Sequence, residues 1–123
     1  SKSKPDDNIF NALSRLPDDA VVFSDLRYGN WIIYDGKRAV WHSLMDRKEF
    51  DIVNKDLSLV LDSKDYTETI NILEKYKVDY ILVDDELKHK WQESGLLYIM
   101  RYNSEDFRLL FETDGVEIWR FFK

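Results

Sequence analysis

The sequence contains no cysteine, which rules out a disulfide framework and a thiolate metal site and leaves the redox compartment unread. It also contains no stretch approaching the roughly 20 apolar residues that cross a bilayer, and Ser1 to Phe10 lack the apolar core of a signal peptide. The chain as given is therefore expected to be soluble. No run of basic residues is present. The 18 Lys and Arg are scattered among 24 Asp and Glu for a net charge of -6, so nothing tracks a phosphate backbone and no nucleic-acid partner is expected. Equally absent are a Gly-x-Gly-x-x-Gly loop, a P-loop, a Gly-x-Ser-x-Gly elbow and a His-Glu-x-x-His pair. The usual support for nucleotide binding and for hydrolysis goes with them.

What is present reads as one α/β domain over residues 1–123, long enough for one core and too short for two. Asn8 is placed to cap a short helix carrying Ile9, Phe10, Leu13 and Leu16, ended by Pro17. Ala20 to Phe23 is a first strand. Asp25 caps the next helix, with Tyr28, Trp31 and Ile32 on one face and Gly36 as its left-handed stop. Arg38 to Trp41 follows as a second strand, parallel to the first by the right-handed crossover rule. Between Met45 and Leu61 the apolar positions fit either a helix plus a short strand or an irregular arm. Asp65 with Glu68 resembles a capping box, and Tyr66, Ile70, Leu73 and Tyr76 make a helical stripe. Val78 to Val83 is nearly all apolar, as in a central strand covered on both faces.

Asp84-Asp85 then caps a helix to about Glu93 with Gly95 as its stop, and Leu96 to Met100 either extends it or forms another strand. Phe107 to Glu112, Asp114-Gly115 and Val116 to Phe122 predict a hairpin. A two-residue loop sets Phe111 against Ile118, Leu110 against Trp119, and Glu112 against Glu117, a mildly repulsive pair that leaves a longer loop open. The sum is a three-layer α/β domain: a short parallel βα core with a C-terminal antiparallel hairpin at one edge.

Ligands of open parallel sheets gather beyond the carboxyl ends of the strands. Asp25, His42, Asp84 and Asp85 leave the predicted strands there. Carboxylates and an imidazole at one edge suit a divalent cation or a sugar hydroxyl, and a metal-dependent hydrolase using Asp25, His42 and Asp84 is the sharpest form of that idea. Helix capping explains the same carboxylates more simply, so neither a catalytic residue nor a metal site is assigned. His89 lies on a charged helix face and reads as solvated. Gly29 inside a helix costs roughly 1 kcal/mol against alanine, which close helix-to-strand approach would compensate. Of Trp31, Trp41, Trp91 and Trp119, candidates for stacking on sugars, three lie in regular elements and read as core; Trp91 is the one whose exposure matters.

Four segments carry a resemblance. They are Leu13 to Asp25 (LSRLPDDAVVFSD); Tyr28-Gly29-Asn30-Trp31-Ile32-Ile33-Tyr34 with the basic turn Gly36-Lys37-Arg38; Ile72 to Asp84 (ILEKYKVDYILVD); and Asp114-Gly115-Val116-Glu117-Ile118-Trp119-Arg120. Their order resembles the soluble C-terminal part of the integral-membrane glycosyltransferases that use lipid-linked sugar donors. That group includes protein mannosyltransferases and the catalytic subunit of archaeal oligosaccharyltransferase. Oligosaccharyltransferases carry Trp-Trp-Asp directly before the Tyr-Gly, where it recognises the hydroxyl residue of the glycosylation sequon. Here those positions are Asp25-Leu26-Arg27, so the resemblance implies a related transferase with another acceptor.

The resemblance implies a non-catalytic, extracytoplasmic domain that caps a membrane active site. Its partners would be the membrane-embedded portion of the same polypeptide and a lipid-linked sugar or protein acceptor. The chain itself would need no cofactor, any divalent metal belonging to the membrane portion. Asp25, Arg27, Tyr28 and Gly29 become acceptor-binding candidates, with Arg27 expected to face solvent and to receive an anionic group. The competing expectation is a stand-alone ligand-binding or scaffolding domain.

Overall fold

Period-two alternation along short strands explains how one sheet comes to be covered on both sides. The structure, a computed structural model, describes residues 5–90 and 95–122. Strands β1 (Val21–Phe23), β2 (Arg38–Ala39), β3 (Tyr80–Val83), β4 (Phe107–Thr113) and β5 (Val116–Phe121) form a sheet in the order β2-β1-β3-β5-β4. The first three are parallel, and β5 and then β4 add antiparallel. Val22, Tyr80, Leu82 and Ile118 enter one core, while Phe23, Ile81, Val83 and Trp119 enter the other. Helices α1 (Pro5–Leu13) and α2 (Gly29–Tyr34) cover the first core with Ile9, Leu13 and Ile32. Helices α3 (Arg47–Asp62), α4 (Tyr66–Lys75) and α6 (Gly95–Tyr102) cover the second with Val53, Leu57, Leu73 and Met100, joined by Leu87 of α5 (Asp85–Lys90). This is the three-layer α/β domain with an edge hairpin that the patterning predicts. Among the described residues no helix is long and apolar enough to cross a membrane.

Several local expectations change. Helix α1, as described, spans Pro5–Leu13. Asn8 is therefore inside the helix, and its side chain donates to the Asp114 carbonyl (3.3 Å), tying α1 to the hairpin turn. Strand β2 is shorter than expected and leaves Trp41 beyond the sheet. The ambiguous middle is the single helix α3, capped by Asp46, which accepts from the Glu49 N–H at 2.8 Å. Its inward residues Val53, Leu57 and Val60 keep helical spacing, but Ile52 and Leu59 are 51% and 37% exposed and blur the stripe. Asp65 caps α4 as expected, accepting from the Glu68 N–H at 3.0 Å.

Gly95 is the first residue of α6, and Leu96 to Met100 are helical, not a strand. At φ +67°, a Cβ here would lie 1.8 Å from the Leu61 carbonyl oxygen, so only glycine lets α6 meet the end of α3. The expected helix end near Glu93, and Trp91, fall outside the described residues. The hairpin loop has two residues, with Asp114 and Gly115 at φ 51° and 83°, as a type I′ turn requires. Phe111 faces Ile118 and Glu112 faces Glu117 as expected, but a bulge follows, so Leu109 rather than Leu110 faces Trp119. The inserted residue shifts the alternation, which is why Phe107 and Phe111 pack on opposite cores. Lys88 relieves the like-charge pair, lying 2.9 Å from Glu112 and 3.7 Å from Glu117.

Candidate functional site

Strand β1 has β2 on one side and β3 on the other, so the winding reverses between β1 and β3. The loops that follow these two strands part at their carboxyl ends and leave a crevice. Asp25 and Arg27 come from the segment after β1, Asp84 from the junction after β3, and Glu86 from the first turn of α5. One oxygen of each aspartate does capping work. Asp25 accepts from the Arg27 N–H at 3.1 Å to start the 3-10 turn Leu26–Tyr28, and Asp84 accepts from the Leu87 N–H at 2.8 Å to start α5.

The remaining oxygens converge on one side chain. The Arg27 guanidinium lies 2.9 Å from Asp84 Oδ2, 2.7 Å from Glu86 Oε2 and 3.5 Å from Asp25 Oδ2. Tyr28 donates its hydroxyl to the same Asp84 oxygen, and the guanidinium stands 5.0 Å over the Tyr28 ring. Burial, then the hydrogen bond to the Asp84 carboxylate, pushes the Tyr28 phenol well above its ordinary range. Three carboxylates against one guanidinium leave this cluster with two net negative charges.

Asp25, Arg27, Tyr28 and Asp84 are thus brought together, and two candidates point elsewhere. The Asp85 carboxylate turns to Lys88 (3.0 Å) and backs onto Gly115. His42 lies on the β2 side in a shallow groove with Ile33, Met45 and Glu49, its Nδ1 accepting from the Leu44 N–H at 3.2 Å. Gly29 opens α2, and a Cβ there would stand 2.0 Å from the Trp41 carbonyl oxygen, which accounts for the glycine by close packing. Within the basic turn, Lys37 is buried on Asp35 at 3.0 Å. Among the described residues no group of three His, Asp or Glu is arranged to hold a metal ion; between the three acidic side chains of the crevice stands Arg27.

Beside the cluster is a cavity of about 180 Å³. Leu26, Leu57, Leu61 and Leu87 floor it, and Asp25, Glu86, Asn54 and Ser58 supply its polar rim. Sequence reasoning missed Glu86, Asn54 and Ser58. Glu86 looks like any acid in a first helical turn, and the α3 residues have no readable face until the helix itself is known.

No family model matches the chain, and no curated protein matches it. Among solved structures it is similar to the C-terminal globular domain of an oligosaccharyltransferase from Archaeoglobus fulgidus, with a TM-score of 0.71 and 18% identity over 99% of this chain and 100% of that one. A second structure described as the C-terminal globular domain of oligosaccharyltransferase from the same organism gives a TM-score of 0.54 and 18% identity, over 98% of each chain. At that identity the likeness establishes a shared fold, and it is the fold that the four-segment resemblance implies.

Proposed function

We propose that the chain is the globular domain of a membrane glycosyltransferase that uses a lipid-linked sugar donor, standing on the extracytoplasmic face beside the membrane-embedded portion of the same polypeptide. The observation that carries this is the end-to-end likeness of fold, 99% of one chain on 100% of the other, to a domain of an oligosaccharyltransferase. In this reading the domain caps the active site and its carboxyl-edge crevice helps to hold the acceptor. Catalysis is assigned to the membrane portion, together with any metal it uses.

The crevice sets the acceptor chemistry. The Arg27 fork is held by carboxylates of its own chain, so an arriving anion would meet a net negative rim. A neutral hydroxyl or a cationic group over the leucine floor suits the Asp25, Glu86, Asn54 and Ser58 rim better. In the complete transferase, Asn54→Ala with Ser58→Ala is expected to raise the KM for acceptor several-fold while leaving donor affinity and melting temperature unchanged. Unaltered acceptor kinetics would remove the crevice from acceptor binding. The coding sequence upstream should encode several apolar spans of about 20 residues, and the isolated chain should transfer no sugar; a start codon just before Ser1, or turnover by the isolated chain, would overturn the assignment.

A further inference from the structure

Among the described residues strand β4 ends the sheet, with β5 on one side and no strand on the other. Among the described residues, no backbone hydrogen bond outside the β4–β5 ladder involves residues 108–112. Arg108, Leu109, Leu110 and Glu112 are all exposed, the two leucines at 44% each. Open edges are normally blunted by short strands, prolines, charged side chains or bulges; β4 carries one bulge and the charges of Arg108 and Glu112. At the opposite edge β2 is only Arg38–Ala39, whereas β4 runs from Phe107 to Thr113 without proline.

The order of residues along this edge is self-complementary. When β4 is laid antiparallel on a copy of itself about Leu110, Arg108 of each chain meets Glu112 of the other, Leu109 meets Phe111, and Leu110 meets Leu110. Moving the two-fold to Leu109 sets Glu112 against Asp106, and centring it between residues 109 and 110 sets Glu112 against Phe107. A parallel pairing in register sets like charges together. Leu110 is also the bulge residue left without a partner on β5, so the point on the two-fold is the one least committed to its own sheet. Glu112 is half-exposed beyond its contact with Lys88, which keeps Asp85 at 3.0 Å as well.

We propose that β4 pairs antiparallel with β4 of a second copy of this chain about a two-fold at Leu110, joining two five-stranded sheets into one. The bulge limits the shared ladder, so association is weak and concentration-dependent.

Sedimentation of the chain from micromolar to millimolar concentration tests this, with circular dichroism confirming that each variant is folded. The wild type should pass from monomer to dimer. Arg108→Glu and Glu112→Arg should each weaken the dimer at least about tenfold, since each turns two attractive pairs into repulsive ones. Mixing these two variants should restore association. In the mixed dimer the two substituted side chains face each other with opposite charge at one site, and the unaltered Glu112 and Arg108 face each other at the second, an arrangement that only this register provides. The absence of cysteine allows a second measurement. Leu110→Cys should form an interchain disulfide under mild oxidation, and Tyr34→Cys, on an 85% exposed residue away from the edge, should not. A wild type that stays monomeric throughout, or a mixture that fails to recover, would overturn the proposal, as would equal disulfide yield at the two positions.

Discussion

The two ends of interest in this sheet are opposites. At the carboxyl edge, between β1 and β3, titratable groups are dense, and the structure satisfies them among themselves: Arg27 on three carboxylates, Tyr28 on Asp84, Asp25 and Asp84 on backbone N–H groups. At the β4 edge there is little chemistry, yet backbone groups and two leucines are left over. A concentration of reactive residue types is therefore a poor guide to free binding capacity. What a surface can bind is set by the groups its own fold leaves unpaired.

The largest test of that contrast is Asp84→Ala. The Asp84 side chain is 12% exposed and supports the α5 cap, the Arg27 ion pair and the Tyr28 hydroxyl at once. Its loss is expected to cost about 2–4 kcal/mol in urea unfolding, the sum of a lost cap, a broken and partly screened ion pair, and a Tyr28 hydroxyl left without its carboxylate acceptor. A change below about 0.5 kcal/mol, ordinary for a surface position, would mean that the cluster contributes nothing to folding and is free for other work.

Lys88 joins the two regions, reaching from α5 to Glu112 of β4 and Glu117 of β5. Burial alone would lower its pKa, but hydrogen bonds to Glu112 and Asp85 and the Glu117 charge outweigh it and push the ammonium up to about 12 from 10.5. A raised pKa stabilises the fold fully below the unfolded value, and the contribution is lost as pH rises through the folded one. The stability gap between wild type and Lys88→Met should accordingly be about 1–2 kcal/mol and constant from neutral pH to about 10, then close by about pH 12. A gap indifferent to pH would show that the lysine stem, not its charge, holds α5 to the hairpin.

How far the sequence allows these regions to be read follows from the range of the forces involved. Helix α4 is legible because Asp65, Glu68 and its inward stripe are local, and the hairpin turn because Asp114-Gly115 is local. Helix α3 is not, since Ile52 and Leu59 spend apolar side chains on an outer face. The bulge is hidden for a related reason: it is fixed by two cores claiming Phe107 and Phe111 from opposite sides. At the carboxyl edge, strand-exit logic locates Asp25 and Asp84, but the partnership of Arg27 with Glu86 spans 59 residues and depends on the loops facing each other. A solvent-facing Arg27 open to an anion is what the sequence suggests when that partner is out of sight.

Arg27→Ala measures how much that partnership matters. Its side chain is 45% exposed, so the three ion pairs are partly screened and the cost should be about 1 kcal/mol, well short of Asp84→Ala. The melting temperature should fall by roughly 4–8 °C if the loss is of that size, as for a domain of about 100 residues. Raising salt should shrink the difference. A variant as stable as wild type at low salt would free Arg27 from its structural role and leave its guanidinium available to an anion.

The smallest effect belongs to Leu110→Thr, at the other edge. Leu110 is 44% exposed and has no cross-strand partner on β5 because the bulge passes it by. Threonine puts a β-branched residue suited to a strand in place of leucine, and what is given up is apolar area that was half in water already. In chemical unfolding at concentrations dilute enough to keep the chain monomeric, the change should stay within about 0.5 kcal/mol. A loss several times larger would place Leu110 in the packing of its own sheet, and the β4 edge would then be as internally satisfied as the carboxyl edge. A negligible loss in the monomer, accompanied by a shift of the association equilibrium toward monomer, would locate the worth of this leucine outside its own chain.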